Sequence, residues 1–286
     1  MASPAPTTLV AEPITRRLPV GGVEVTYHDS GAGRTDLPTI VLVHGTGGST
    51  DTHYPFIFPM LAGPQRVLSI DLADPGSPIL ELRQLEEQVI GVLEEVRADS
   101  VTLVGYSLGA VVATSVAGQR SDLVDNLITI AGWAKTDGHQ LLRNNIWRRT
   151  KNSAPVACAE FSAFTAYSPG FLRQLPAEYQ SFLVDAMKYD DFGCRQMDLN
   201  RKIDITDLAG KVTADTLVIA CRDDYMVPPH HSRELFSIID NARYTEVRSG
   251  HGVVLERPAE LVHVISVFNA APRAHPAGTM IAELKP

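Results

Sequence analysis

Residues 101–113 have the sequence VTLVGYSLGAVVA, in which an apolar run, a serine between two glycines and a run of small residues follow one another. This order predicts a buried strand, a sharp turn at Ser107 and a helix that begins directly after the turn. Side chains two positions before and after such a turn would collide with neighbouring backbone, and glycine at 105 and 109 removes that collision. The pattern marks Ser107 as a candidate nucleophile; the alternative is an ordinary loop serine bounded by glycines.

The composition limits the classes of function. With 286 residues the chain is long enough for one large α/β domain or for a core with a modest insertion. The net charge of −8 and the pI near 5.6 argue against a nucleic-acid surface, which needs clustered positive charge. The local basic run Arg143–Lys151 is expected to be a solvated helix face.

Targeting and cysteine signals are weak throughout the chain. Cys158, Cys194 and Cys221 lie far apart without CxxC spacing, so they indicate neither a zinc site nor a disulfide framework. Residues 1–17 lack the order of a signal peptide, and no apolar run approaches the ~20 residues of a membrane span. We therefore expect a soluble, cytoplasmic protein that does not act on membranes or nucleic acids.

Short apolar runs recur along the chain and alternate with helical patterns. The runs lack polar alternation, as expected for strands that are buried on both faces of a parallel sheet. They lie at 39–43, 67–70, 101–104, 127–131 and 216–220, with helical patterns at 80–96 and 108–119. An earlier pair of runs around Gly21-Gly22 predicts an antiparallel edge hairpin. The fold class is α/β, with a mostly parallel, doubly wound sheet whose ligands gather outside the carboxyl ends of the strands.

The rhythm breaks after residue 131, and about 75 residues pass before the next core strand. Since long structureless loops are uncommon in compact domains, we interpret residues 133–210, which are rich in aromatic side chains, as a helical lid. The core then consists of 14–132 and 211–269. Residues 1–13 and 270–286 are rich in Pro and Ala and are expected to be loosely ordered tails.

A serine hydroxyl is a poor nucleophile at neutral pH and needs a base and an orienting acid. Asp223 and Asp224 follow the predicted strand 216–220, and His251 follows a second predicted strand at 244–247. These residues therefore stand at the carboxyl ends of strands, in the chain order Ser, Asp, His.

From about residue 20 to residue 269 the chain resembles the α/β-hydrolases. The resemblance is carried by His44-Gly45-Thr46-Gly47-Gly48, Asp71-Leu72 with Gly76 and Ser77, the turn at Ser107, Asp224 with Pro228, and His251 with Glu256 and Pro258. It implies the α/β-hydrolase fold, with the predicted lid as an insertion. It further implies that Ser107 is the nucleophile, His251 the general base and later acid, and Asp224 the carboxylate that orients the imidazole.

An oxyanion hole is the second element that the resemblance implies. Backbone N–H groups fixed in advance stabilise the negative oxygen of a tetrahedral intermediate without reorganisation. The amide of Leu108, at the start of a helix, is one expected donor, and the amide of Thr46 is the other.

Other acids and histidines compete for these roles. Asp223 adjoins Asp224, and only one of the two can face His251; the spacing to Pro228 favours Asp224. Asp137 is a second rival, because some relatives carry the acid after the preceding strand, and Asp71 fits the chain order less well. We expect structural roles for His44, His230, His231 and His263. For His53 and His139 a surface position is favoured, and the alternative is that they approach the pocket from the loop and the lid.

The expected substrate is a small molecule with a largely apolar acyl or ring part. Residues expected to line its pocket are Gly45, Tyr106, Trp133, Phe161, Phe164, Met226 and Val253. No phosphate-binding glycine motif and no acidic or histidine cluster with metal-ligand spacing is present, so neither a cofactor nor a metal is expected. The sequence leaves open whether the chain forms a homodimer.

We therefore expect a serine hydrolase that cleaves an ester or lactone, with a thioester also compatible, through an acyl-enzyme. A serine at the turn argues against a dehalogenase or epoxide hydrolase, and halide perhydrolysis is at most a side reaction. Acyl transfer, cyclisation or C–C bond hydrolysis on the same three residues is the first alternative, since one fold hosts many reactions. A ligand receptor that retains the three residues is the alternative from outside the enzymes.

Overall fold

The computed structural model describes residues 13–31 and 36–283 of the chain. Its strands are β1 (Ile14–Val20), β2 (Val23–Asp29), β3 (Thr39–Val43), β4 (Val67–Asp71), β5 (Val101–Tyr106), β6 (Asn126–Ile130), β7 (Asp215–Cys221) and β8 (Ala242–Val247). They form one sheet with the order β1-β2-β4-β3-β5-β6-β7-β8. The predicted strands are confirmed, with ends that differ by one or two residues.

Most of the sheet is parallel. β3 pairs with β4 and β5, and the ladder continues in parallel through β6, β7 and β8. β1 and β2 form the expected antiparallel hairpin, and β2 joins the sheet antiparallel to β4. The predicted α/β class with a mostly parallel sheet is confirmed. Because the central strands run in one direction, their carboxyl ends and the loops that follow them share one edge.

Helices cover both faces of this sheet. Those outside the segment between β6 and β7 are α1 (Thr50–His53), α2 (Ile57–Leu61), α3 (Leu82–Val96), α4 (Leu108–Gln119), α11 (Pro229–Ile238), α12 (Val253–Glu256) and α13 (Pro258–Ala270). Buried apolar side chains form two large clusters, one that includes residues of α3 and α4 and one that includes residues of α2 and α13. β3, β5, β6 and β7 are therefore buried at nearly every position, which explains their lack of polar alternation.

The chain between β6 and β7 forms a helical insertion. It contains α5 (Gly138–Thr150), α6 (Pro155–Ala166), α7 (Pro169–Gln174), α8 (Ala177–Asp185), α9 (Asp191–Leu199), a 3-10 turn (Asn200–Lys202) and α10 (Thr206–Ala209). Hydrogen bonds tie it to the core loops: Gly47 N donates to Gln196 Oε1 at 2.7 Å, and Gly252 N donates to Ala166 O at 2.8 Å. The boundaries 133–210 and the role of this segment as a lid remain predictions.

The chain that follows α13 differs from the expected loose tail. Tyr244 of β8 donates its N–H to Thr279 O at 3.0 Å and accepts from Ile281 N at 2.7 Å. Arg273 pairs with Asp215 at 2.7 Å. Backbone hydrogen bonds, which composition does not reveal, therefore hold residues 278–281 beside the last strand, and an ion pair holds Arg273. The predicted N-terminal tail lies almost wholly outside the described residues. Among those residues no helix is both long and apolar enough to cross a bilayer.

Candidate active site

Ser107 lies at the corner between β5 and α4. Its backbone has φ 56° and ψ −121°, a conformation that non-glycine residues adopt rarely. A Cβ at Gly109 would come within 2.1 Å of Val43 O, and one at Gly105 within 2.3 Å of Gly109 O. Both glycines are thus required by close backbone packing, which allows the turn to present the serine hydroxyl beyond the end of β5.

His251 lies four residues beyond β8 and is buried. Its backbone oxygen accepts a hydrogen bond of 2.8 Å from the Tyr106 hydroxyl, and its ring is tilted against the Tyr106 ring at 5.4 Å. These contacts hold the imidazole beside the serine corner, because Tyr106 directly precedes Ser107.

Glu256 anchors the loop that carries His251. Its Oε1 accepts from Ser168 N at 2.7 Å and Gly250 N at 3.1 Å, and its Oε2 accepts from the Ser168 hydroxyl at 2.7 Å. Ser168 belongs to the insertion, at the start of α7. One buried carboxylate therefore joins the histidine loop to the insertion, and this explains why Glu256 accompanies the histidine in the sequence pattern.

Removing this carboxylate should destabilise the protein. In Glu256→Ala three buried donors lose their acceptor, so we expect the free energy of unfolding to fall by about 1–3 kcal/mol, with reduced turnover. Denaturant unfolding measures the change. Glu260→Ala, which removes a partly exposed carboxylate paired with Arg257 at 3.9 Å, is the matched control and should change stability by about 0.5 kcal/mol or less. Equal effects of the two substitutions would contradict the anchoring role.

Asp224 lies three residues beyond β7, with its side chain fully buried. Its Oδ1 accepts from Met226 N at 2.7 Å and Val227 N at 2.8 Å, which fixes the carboxylate and leaves Oδ2 for His251. Asp223, the neighbouring rival, is exposed and does not contact His251.

The three side chains form a continuous hydrogen-bonded series. Asp224 Oδ2 lies 2.7 Å from His251 Nδ1, and His251 Nε2 lies 2.8 Å from Ser107 Oγ. In this arrangement the Nδ1–H group donates a hydrogen bond to the carboxylate, and the Nε2 lone pair faces the hydroxyl. The geometry can therefore transfer a proton from Ser107 to His251 as the hydroxyl attacks an electrophilic carbon.

The predicted oxyanion donors belong to residues next to this site: Leu108 follows the serine at the start of α4, and Thr46 lines the same cavity. A Cβ at Gly45, which precedes Thr46, would come within 2.9 Å of the Ser107 Cβ, so the loop after β3 passes directly beside the serine. Neither amide donates a hydrogen bond within the described part of the chain. The Thr46 hydroxyl is held by Asn200 Nδ2 at 2.9 Å. Both N–H groups are available to a developing oxyanion.

A cavity of about 310 Å³ opens onto Ser107 and His251, between the strand ends and the insertion. Its lining combines aromatic, aliphatic and polar side chains. Of the residues expected to line it, Tyr106, Trp133 and Met226 do so, and Gly45 lies against the serine.

Phe161, Phe164 and Val253 are corrections to the predicted pocket. α6 buries Ala159, Ser162 and Ala163, and Phe164 is on the opposite face with 66% of its surface exposed. Phe161 also lies outside the cavity lining, and the Val253 side chain points into the core cluster beneath α13. The first two predictions were wrong because aromatic composition does not show which face of a helix is turned toward the cavity.

The cavity also contains polar residues that the sequence did not indicate. Gln140, Arg143 and Asn144 reach it from α5, and Asn200 and Arg201 reach it from the 3-10 turn. The basic run 143–151 is therefore not a uniformly solvated face: Arg148 and Arg149 are exposed, whereas Arg143 points inward. The spacing Gln140, Arg143, Asn144 and buried Trp147 follows one helical face, and this was the signal available in the sequence.

His53 also lines the cavity, contrary to the expected surface position. Its Nδ1 accepts from Gly45 N at 3.2 Å, and its ring packs edge-on against Tyr106 at 5.2 Å. Burial lowers the pKa of His53 to about 3, so its imidazole is neutral near pH 7. It supports the loop beside Ser107.

The remaining rivals lie elsewhere. Asp71 accepts from Thr50 N at 2.7 Å and lies 3.0 Å from His28 Nε2. Asp137 caps α5 and lies 3.0 Å from His230 Nε2 and 3.4 Å from His231 Nε2. These last three side chains offer potential metal-ligating atoms within 4.8 Å of one another. Spacing along the chain did not indicate this group, since 93 positions separate Asp137 from His230.

The arrangement can now be compared with known proteins. The model of the alpha/beta hydrolase family matches residues 40–264. A pyrrolizixenacetamide deacetylase of Xenorhabdus hominickii is 28% identical over 261 residues, which cover 88% of this chain and 97% of that protein. A 2-hydroxy-6-oxo-2,4-heptadienoate hydrolase of Pseudomonas putida is 25% identical and covers 92% of this chain and 99% of its own.

Solved structures show the same fold. The enol-lactonase of Burkholderia xenovorans LB400 superposes with a TM-score of 0.73 at 20% identity, over 88% of this chain and 99% of that one. The alpha/beta hydrolase MGS-M2, from a Medee basin deep-sea metagenome library, has a TM-score of 0.77 at 20% identity and covers 88% and 96% of the two chains.

Proposed function

The chain belongs to the alpha/beta hydrolase family, and this membership makes it a hydrolase. We propose that it is a serine hydrolase that acts on an ester, lactone or acyl amide of a small molecule. The observation that carries the proposal is the series Asp224, His251, Ser107, with hydrogen-bond distances of 2.7 and 2.8 Å, in which Ser107 and His251 line the cavity. A nucleophile, a base and an orienting acid within contact of one another are the minimum that acyl transfer to serine needs.

The first half-reaction forms an acyl-enzyme. Ser107 Oγ attacks the substrate carbonyl carbon while its proton passes to His251 Nε2, and the carbonyl electron pair moves onto the oxygen. When the tetrahedral intermediate collapses, the bond to the leaving alcohol or amine breaks, and His251 returns the proton to that group. Asp224 stays ionised and holds the imidazolium in place.

Water completes the cycle by the reverse sequence. His251 accepts a proton from water as the water oxygen attacks the acyl carbon, and Ser107 leaves with the proton that His251 gives back. In both halves the amides of Thr46 and Leu108 would donate to the oxyanion, where fixed donors contribute most.

The names of the relatives support an acyl bond as the target. One relative is named for the removal of an acetyl group from an acetamide, and one structural neighbour is named for opening an enol-lactone. Amides need a protonated leaving group more than activated esters do, and His251 supplies that proton in the scheme above. The expected largely apolar substrate stays a prediction, to which we add polar groups, because the cavity lining includes several amide and guanidinium groups.

A graded panel of substrates tests this proposal. We expect hydrolysis of p-nitrophenyl esters, lactones or N-acetyl anilides, with kcat/KM falling once the acyl chain outgrows the cavity of about 310 Å³. Product analysis with a competing alcohol separates hydrolysis from acyl transfer. Tight ligand binding without turnover would contradict the proposal and favour a receptor, and predominant formation of a new ester would favour a transferase.

A further inference from the structure

Arg143 is a cation of the cavity lining that forms no ion pair with any carboxylate of the described residues. Arg143 reaches the cavity from α5, and its Nε donates to Thr165 Oγ1 of α6 at 3.2 Å. Its Nη2 is buried and has no hydrogen-bond partner within the described residues, where no carboxylate forms an ion pair with this guanidinium either. An arginine stays charged under all ordinary conditions, and a buried charge without a partner is costly.

The other cations of the lining are already occupied. Lys188 pairs with Asp185 at 2.7 Å at the rim. Arg201 Nη1 donates to Asn144 Oδ1 at 3.0 Å and to Asn145 Oδ1 at 2.8 Å. Arg143 thus combines a guanidinium that lines the cavity with a donor that nothing in the described chain satisfies.

Arg143 is also close to the reacting centre. Burial lowers the pKa of its guanidinium, and the nearby Tyr189 and Asp224 act in the opposite direction. A Cβ on Gly47 would come within 2.5 Å of the Tyr189 ring, so this ring packs directly against Gly47. Gly47 follows Thr46, the proposed oxyanion donor. One molecule in this cavity can therefore contact both the guanidinium and Ser107.

We propose that Arg143 is the anion subsite of this cavity, so that the substrate carries a carboxylate or a comparable oxyanion in addition to the bond that is cleaved. This inference rests on the proposed function, because the subsite belongs to the same cavity as Ser107. A planar guanidinium with free donors matches a carboxylate in a bidentate geometry. Thr165 accepts from Nε and so holds the guanidinium plane in place at the cavity wall.

Paired substrates measure the effect on turnover. The first pair is 4-nitrophenyl hydrogen glutarate and 4-nitrophenyl valerate, and the second is 4-acetoxybenzoate and p-tolyl acetate, which move the carboxylate from the acyl to the leaving part. We expect Arg143→Gln to lower kcat/KM for the anionic member of at least one pair about 10- to 100-fold, with little change for its neutral counterpart. Arg143→Lys should give an intermediate kcat/KM for the anionic member, because lysine keeps the positive charge and loses the forked guanidinium. Arg149→Gln, on the exposed face of the same helix, is the matched control and should leave both members unchanged.

A binding measurement separates this inference from the proposed function. Isothermal titration of the Ser107→Ala variant with glutarate needs no turnover, and adding Arg143→Gln should weaken the Kd about 10-fold or more. Thermal unfolding gives a further readout: a guanidinium without an ion-pair partner does not stabilise the fold, so Arg143→Gln should not lower the Tm. The proposal is overturned if Arg143→Gln leaves the specificity ratios and the glutarate Kd unchanged, or if it lowers the Tm and reduces anionic and neutral turnover equally.

Discussion

Ser107→Ala should reduce kcat for any hydrolysed substrate about 10⁶-fold, because three cooperating residues lose nearly all of their effect when the nucleophile is removed. Within the described residues the Ser107 hydroxyl makes one hydrogen bond, to His251 Nε2 at 2.8 Å, so its removal eliminates the attacking atom and little else. Steady-state kinetics on the best substrate of the ester panel measures the loss.

The fold must survive for this result to be informative. The serine corner is held by the glycines at 105 and 109, and alanine keeps the Cβ that Ser107 already places at φ 56°. Circular dichroism and the Tm should therefore match those of the unmodified chain. A folded Ser107→Ala protein that retains more than about a hundredth of the original kcat would show that another group attacks the substrate.

Asp224→Asn is expected to cost about 10⁴-fold in kcat, whereas Asp223→Asn should cost almost nothing. The Asp224 carboxylate accepts from two backbone amides through Oδ1 and from His251 through Oδ2. An asparagine can offer its oxygen to only one of these two directions. If the oxygen stays with the amides, the NH₂ group faces His251 Nδ1 and favours the tautomer in which Nε2 carries the proton.

The two aspartates provide a matched pair, because they are adjacent and carry the same change of charge. Asp223 is exposed, and in the described part of the chain its contact with the site is its backbone N–H, which donates to Ser249 O at 2.9 Å. Parallel kinetics on both variants measures the difference. Equal losses of kcat, or a larger loss in Asp223→Asn, would show that Asp224 is not the orienting acid.

Local sequence signals were sufficient wherever a feature depends on neighbours along the chain. The strand, turn and helix around Ser107 were predicted because glycine at 105 and 109 indicates close backbone packing between an apolar run and a run of small residues. Acids and a histidine at strand ends predicted which side chains would meet, since parallel strands deliver their following loops to one edge of the sheet. The spacing of Asp224 to Pro228 separated it from Asp223, and the structure brings Asp224 to His251.

Features that depend on distant partners were not predictable in this way. The aromatic residues Phe161 and Phe164 suggested a pocket by composition, yet the phase of α6 turns them away from it. Arg143 appeared as one member of a basic run, and only the packing of α5 over the strand ends shows that it points inward. The segment that follows α13 is bound by backbone hydrogen bonds, which side-chain composition does not encode.

The most direct test of the central claim is to locate the site of covalent reaction with a fluorophosphonate, which traps an activated serine. Tandem mass spectrometry of the labelled chain should place one adduct on Ser107, and labelling should be lost in Ser107→Ala and strongly slowed in His251→Ala. An adduct on another residue, or unchanged labelling of Ser107→Ala, would contradict the assignment of Ser107 as the nucleophile.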